Sequence, residues 1–306
     1  MNPSSPVTIA PLTAAVVVPV GPGIHTALDT LESVERYCPE PHLVVIVDDC
    51  TQDGTYQALV EARRPNWKIL RNERRLGIER LVHTLCAGYR FVLSETECDV
   101  ILRLDQDALL IGPGVIRDAR TYMQEQPRAG LFGVYAHDYN RPRSFAGHEK
   151  QMQRELRWWR RLAGMRPYWA DMLATAEARG YRRGDNVFGG AYFVTRECLR
   201  AMNDVGALDV PFRWSSRLME DVYFSMATVA AGLELGHFGA PEGPICMEWR
   251  GLPYPANELA QSGYKLVHSV DKGKNTDRAS NGGKTAREIF AALRGAGPSV
   301  ALGSAK

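Results

Sequence analysis

The sequence predicts an α/β fold, a Rossmann-like and mostly parallel central sheet with helices on both faces. Three observations predict it. Short apolar runs alternate with segments of helical spacing through the first third of the chain. The connections are short, as in βαβ units, whose right-handed crossovers place helices on both sides of a parallel sheet. The first apolar run, Ala14–Val20, lacks polar alternation, the pattern of a strand covered on both faces.

Taken in order, Ala14–Val20 is a strand ended by Gly21-Pro22-Gly23. Residues 25–37 form a helix with Ala27, Leu28, Leu31 and Val34 at helical spacing. Strand Leu43–Val47, helix Thr55–Ala62, strand Lys68–Leu70, helix Ile78–Val92 and strand Val100–Leu104 follow. A helix near 114–125 leads to a strand at Gly130–Tyr135. Regular strands resume at Ala191–Val194, and a helix follows Glu220. Ligands of such sheets bind beyond the carboxyl ends of the strands, so the polar residues after each strand are where chemistry is sought.

Of 306 residues, 45% are hydrophobic and 24% charged, which suits a globular core and excludes global disorder. The net charge of +2 does not announce nucleic acid or membrane, so any such partner must be met by a local patch. Segment 141–187 is that patch: eleven Lys/Arg against five acids give it +6 and leave −4 elsewhere, and it carries Trp158, Trp159, Tyr168 and Trp169. The six cysteines form no C-x-x-C pair and read as reduced, mostly buried thiols. No basic n-region precedes Arg36, and the longest early apolar run has seven residues. The expectation is a cytoplasmic chain without signal peptide or transmembrane segment. Residues 1–12 are expected to be a flexible leader and 295–306 a flexible tail.

Three acid clusters stand at element ends. Asp48-Asp49 closes the second strand, followed by Asp53-Gly54-Thr55; two carboxylates there can accept from the N–H and O–H groups of a nucleotide. The structural alternative, an N-cap by Asp53 or Thr55, accounts for Asp53 better than for the adjacent pair. Asp105-Gln106-Asp107 leaves the strand Val100–Leu104. Acids at i and i+2 can face one side and share a divalent cation. A unit charge pair at about 4 Å is worth about 4 kcal/mol at an effective dielectric near 20, so such a cation would offset a diphosphate well. Glu220-Asp221 opens a helix, where the dipole favours acids; dipole stabilisation and a general base are both open readings of Asp221.

The order of these pieces resembles the nucleotide-sugar glycosyltransferases of the GT-A fold, most closely the inverting family 2, over residues 14–270. Val16-Val17-Val18-Pro19-Val20 is similar to that family's first strand, and Val47-Asp48-Asp49-Cys50-Thr51-Gln52-Asp53-Gly54-Thr55 to its V-D-D-G-S-x-D-G-T. Asn72–Gly77 is similar to N-x-x-N-x-G, Asp105-Gln106-Asp107 to D-x-D, Phe188-Gly189-Gly190-Ala191 to the acceptor-side glycine pair, and Glu220-Asp221 to E-D. The resemblance implies one catalytic domain over 13–294, with a nucleotide-binding half (13–112) and an acceptor-binding half (113–294) bearing the basic helical insert 141–187. It implies sugar-nucleotide binding by Pro19, Asp48, Asp49, Asp105 and Lys272, with a UDP-sugar the expected donor. It places Mn²⁺ or Mg²⁺ on Asp107, Asp105 and His268, the acceptor on Gly189, Gly190, Trp214 and Glu220, and the base at Asp221. Cys50 departs from the usual glycine and Arg75 from a common asparagine. No Q-x-x-R-W motif accompanies them, which argues for single transfer over processive polymerisation.

The insert's arginines and tryptophans suit an anionic or aromatic acceptor, nucleic acid or a lipid-linked phosphate among them, or a membrane surface, or a glycan. An amphipathic helical hairpin with Met152, Leu156, Trp159 and Leu162 inside is the favoured structural reading. The competing functions are a retaining glycosyltransferase, a sugar-phosphate nucleotidyltransferase, disfavoured because no base follows Gly21-Pro22-Gly23 closely, and a non-catalytic sugar-nucleotide binder.

Overall fold

A computed structural model describes residues 13–157, 167–211 and 216–295. The strands are β1 (Ala14–Val20), β2 (His42–Asp48), β3 (Trp67–Arg71), β4 (Val100–Leu104), β5 (Leu109–Leu110), β6 (Ala129–Gly133), β7 (Ala191–Thr195), β8 (Glu234–His237), β9 (Ile245–Met247) and β10 (Leu266–His268). The helices are α1 (Ile24–Tyr37), α2 (Thr55–Glu61), α3 (Leu81–Glu95), α4 (Val115–Glu125), α5 (Ala146–Glu155), α6 (Ala170–Ala178), α7 (Arg196–Asp204), α8 (Glu220–Ala230), α9 (Ala256–Leu259) and α10 (Ala286–Gly295). The helix expected from Ile78 enters through a 3₁₀ turn over Ile78–Arg80.

Seven strands form the main sheet in the order β3-β2-β1-β4-β7-β6-β8, with β7 antiparallel to both neighbours and the other pairings parallel. The strand period of two divides the core. Val17, Val45 and Val47 meet Leu85, Tyr89 and Val92 of α3 on one face, while Val16, Val18 and Ile46 meet Leu31 and Val34 of α1 and Leu59 of α2 on the other. Both faces are therefore dry, which is why β1 reads as a continuous apolar run.

The strand order reverses between β1 and β4, the topological switch point where a crevice opens. The β1–β4 ladder ends at Val17↔Arg103, so Pro19, which has no N–H, lies past it without breaking a bond. A second sheet, β5-β10-β9, sits beyond the end of β4. Its register pairs Leu266 with Leu110 and Val267 with Leu109, which brings the end of β10 back beside the acids that follow β4.

The basic insert contains α5 and α6. Met152 is buried as expected of the hairpin's inner face; Trp158, Trp159 and Leu162 lie outside the described residues. Several of its arginines are committed within the fold: Arg182 to Asp185, Arg183 to Glu177, Arg141 to Asp138, and Arg179 to the carbonyl of Ala230. Among the described residues no helix is long and apolar enough to cross a membrane.

Candidate active site

The acids after β4 are held from three directions. Arg103 of β4 has no exposure, and its guanidinium contacts Asp105 Oδ1 at 2.7 Å and Glu220 Oε1 at 3.2 Å. One buried cation thus joins the second and third acid clusters. Burial pushes the carboxyls of Asp105 and Glu220 upward, and Arg103 pulls both back. Asp107 behaves oppositely. Burial would raise it, but hydrogen bonds from His268 and Ser269 and the nearby charge of Lys272 hold it well below the usual carboxylate range. His268 Nε2 lies 3.2 Å from Asp107 Oδ1, and Ser269 Oγ donates to Oδ2 at 2.7 Å.

Ligand atoms of Asp105, Asp107 and His268 all lie within 4.8 Å of one another. Two carboxylates and an imidazole form a donor set that suits Mn²⁺ or Mg²⁺, and His268 Nδ1 is buried without a partner, so the residues present fit a divalent cation. A second group, His137, His237 and Glu242, is as compact. There the N–H of Tyr135 donates to His237 Nδ1, which leaves that ring's proton on Nε2 and makes it a poor ligand.

The glycine pair before β7 is where the two halves of the site touch. A Cβ at Gly189 would stand 2.8 Å from Glu220 Oε1, and one at Gly190 would stand 2.8–2.9 Å from three atoms of the His268 ring. These glycines act here as spacers that let Glu220 and His268 close in. Glu220 itself faces Arg103, not an open surface, so it braces the site in this conformation. Trp214, expected on the acceptor side, lies outside the described residues.

Asp221 is the partly open acid. Its Oδ2 accepts from Asn186 Nδ2 at 2.6 Å and from the Gly189 N–H at 3.2 Å, and its Oδ1 from the Val222 N–H at 2.8 Å. Asn186 is fully buried and is held by Arg143, which donates to its backbone carbonyl and its side-chain oxygen. Burial draws Arg143 down to about 10, still cationic at neutral pH. Arg103, Asn186 and Arg143 carry no motif signal in the sequence, being single polar residues in otherwise ordinary segments.

The other end of the crevice is organised by the loops after β1 and β2. Asp49 accepts from the N–H groups of Leu76 and Gly77 and from Asn72 Nδ2, all at 2.8–2.9 Å. Its carboxylate therefore knits the 72–77 loop to the strand end, leaving about one of its four acceptor positions open. Asp48 has no exposure and is spent on Thr51 and Arg71. Pro19 is likewise buried within β1, so both frame the crevice and present no free surface to it. Gln106, between the two acids of the D-x-D, accepts from Gly21 N–H and donates to Pro22 O, fastening the loop after β1 to the end of β4. Lys272 is exposed on the loop after β10.

The model of glycosyl transferase family 2 matches residues 15–188, more than half of the chain, and the protein belongs to that family. Among solved structures it is similar to TarS of S. aureus, with 14% identity over 75% of this chain and 59% of that fragment and a TM-score of 0.45. A complex of the same fragment with UDP gives 15% identity at the same coverage and TM-score. It is also similar to the mannosyltransferase PcManGT from Pyrobaculum calidifontis, described in complex with GDP-Man and Mn²⁺, with 15% identity, 89% of this chain and 63% of that one, and a TM-score of 0.48. The chain thus spans about three fifths of the TarS fragment and of PcManGT, and 36% of the longer TarS chain. A search of curated proteins gave no match.

Proposed function

We propose that the protein is a metal-dependent glycosyltransferase that moves a sugar from a nucleoside-diphosphate sugar, a UDP-sugar being the expected donor, to an acceptor hydroxyl with inversion. One observation carries the proposal: adjacent glycines bring the two groups to one place, Gly189 bonding the half-open carboxylate of Asp221 and Gly190 packing on His268 of the Asp105–Asp107–His268 triad. The last open position on Asp49 would take a base N–H at the far end of the crevice. Mn²⁺ or Mg²⁺ on Asp107 and His268, with Asp105 alongside, supplies Lewis-acid stabilisation of the leaving diphosphate when bound. Lys272 offers a further positive charge from its exposed loop.

The chain's own residues do the rest. Asp221 removes the proton from the acceptor hydroxyl as its oxygen attacks the anomeric carbon, and the nucleoside diphosphate departs from the opposite face. Asn186 and the Gly189 N–H hold Asp221 Oδ2 in place, and Arg103 anchors the neighbouring, buried Glu220. A positioned base contributes about 10²–10⁴-fold. Asp221→Asn should therefore lower transfer by at least about 10²-fold while UDP binding, followed by calorimetry, stays unchanged; full turnover in that variant would remove Asp221 from the mechanism.

A further inference from the structure

The carbonyl of Gln106 lies in the middle of the turn that carries Asp105 and Asp107, and two helices grip it. The Thr30 hydroxyl of α1 is 2.7 Å from it, and Arg287 of α10 donates to it from Nη2 at 3.0 Å. The same guanidinium forks onto Asp271, with Nε to Oδ1 at 2.6 Å and Nη2 to Oδ2 at 2.7 Å, and its Nη1 donates to Asp29 of α1. Four of its five N–H groups are thus spent on three separate segments of chain. Asp271 follows directly on the residues that complete the triad. His268 and Ser269 reach Asp107 through their side chains, and the Val270 N–H donates to the Asp107 carbonyl at 2.8 Å. Arg287 therefore pins two segments that must keep a fixed spacing if Asp105, Asp107 and His268 are to share one ion.

The local folding explains why an arginine stands there. Ala286 and Phe290, one helical turn apart, are buried in a cluster with Leu109 of β5 and Val267 of β10. Arg287 and Arg294, two turns apart, share the side turned to α1, where both meet Asp29. The two arginines differ in reach. Among the described residues, Arg294 pairs through its side chain with Asp29 and with no residue of the turn or of the loop after β10, whereas Arg287 holds both.

We propose that Arg287 is a positioning residue of the cation site, setting the spacing between the Asp105–Gln106–Asp107 turn and the His268–Asp271 segment. The inference rests on the reading of Asp105, Asp107 and His268 as a cation site, and adds a residue that reaches them only through Gln106 and Asp271. The sign of the effect separates positioning from charge. A positive charge near such a site repels the cation, so an Arg287 acting by charge alone would hinder Mn²⁺, and its removal would tighten binding. Loss of a partner that orients metal ligands weakens binding instead, by about 10–100-fold.

The test compares Arg287→Ala and Arg287→Lys with Arg294→Ala in the full chain. Mn²⁺ affinity is read by electron paramagnetic resonance of the free ion. Tm and the amide exchange of Val270, by nuclear magnetic resonance, are read without metal. Arg294→Ala is the structural control: it should lower Tm and leave Mn²⁺ affinity and Val270 exchange unchanged. Arg287→Ala should lower Tm, weaken Mn²⁺ binding at least about tenfold and speed Val270 exchange at least about tenfold. Arg287→Lys keeps the charge without the fork, so it should also weaken Mn²⁺ binding, and it carries the test if Arg287→Ala does not fold. Unchanged or tighter Mn²⁺ binding in the Arg287 variants overturns the proposal, and so does an equal loss in Arg294→Ala. A wild-type chain that binds no Mn²⁺ overturns the cation-site reading by itself. Val270 exchange then decides separately: acceleration confined to the Arg287 variants upholds the link between turn and loop, and rates equal to wild type overturn it.

Discussion

At the scale of single residues, the site depends on close approaches that few side chains permit. Gly190 combines a φ of +95° with a Cβ direction blocked by the His268 ring. Gly190→Ala should therefore displace His268 and weaken Mn²⁺ binding at least about tenfold, measured by electron paramagnetic resonance of free Mn²⁺, with a backbone cost of about 1–3 kcal/mol. Gly206→Ala is the control, since its φ of +73° brings similar backbone strain but its added Cβ would meet nothing within 4 Å; it should lower Tm without changing Mn²⁺ affinity. Equal loss of Mn²⁺ binding in both variants would contradict the spacer role. Cys50 shows the same physics in reverse. It adopts a φ of 52°, so the glycine usual in similar sequences answers a real backbone demand that this chain meets at a cost of about 1–2 kcal/mol. The acids and the glycine pair that the structure brings together were visible in the sequence as ordered motifs, and His268 as a single positional match. Asn186, Arg143 and Arg103 were not, because each acts through a partner more than thirty residues away and leaves no local pattern.

At the scale of elements, the buried strands and their helices declared themselves through unbroken apolar runs and helical spacing, and Ala14–Val20 and Val100–Leu104 have the expected bounds. The second sheet did not, since strands of two or three residues are too short to show a period of two, although it is the sheet that returns His268 to Asp107. Docking of α1 on the sheet edge is also a tertiary event. Glu35 of α1 accepts from Trp67 Nε1 at 2.6 Å and from Asn66 Nδ2 at 3.0 Å, and its carboxylate lies 3.6 Å from His42. Burial alone would raise its pKa, but the bonds from His42, Trp67 and Asn66 win and bring it down to about 2. At His42 the Glu35 carboxylate, together with the carbonyl and charge of Glu40, outweighs burial and raises the pKa. A depressed carboxylate stabilises the fold above its unfolded pKa, and that contribution is lost as pH falls from about 4.5 toward about 2. The raised histidine contributes fully below its unfolded value of 6.5 and loses its contribution as pH climbs past the folded value. Glu35→Gln should accordingly cost about 1–3 kcal/mol near pH 5–6 in denaturant titrations, and the difference from wild type should shrink toward pH 2. A deficit independent of pH would show that the carboxylate charge is not what holds α1.

At the scale of the whole molecule, the site is made by convergence. Acids that follow β2 and β4 and that open α8 are spread over more than 170 residues of chain, yet the strand reversal between β1 and β4 and the return of β10 set them along one edge of the sheet. Arg103 ties two of the clusters together, while Gln106 ties the loop after β1 to the end of β4. The insert that looked basic in the sequence proves to spend several of its arginines on this framework, which charge counting along a chain cannot reveal. The most direct test is anomalous scattering from a crystal soaked with Mn²⁺ and UDP. The account predicts a manganese peak in coordination contact with Asp107 and His268, with the diphosphate beside it and the uracil near Asp49; a peak at His137 and His237 instead, or no peak at the triad while UDP is bound, would contradict it.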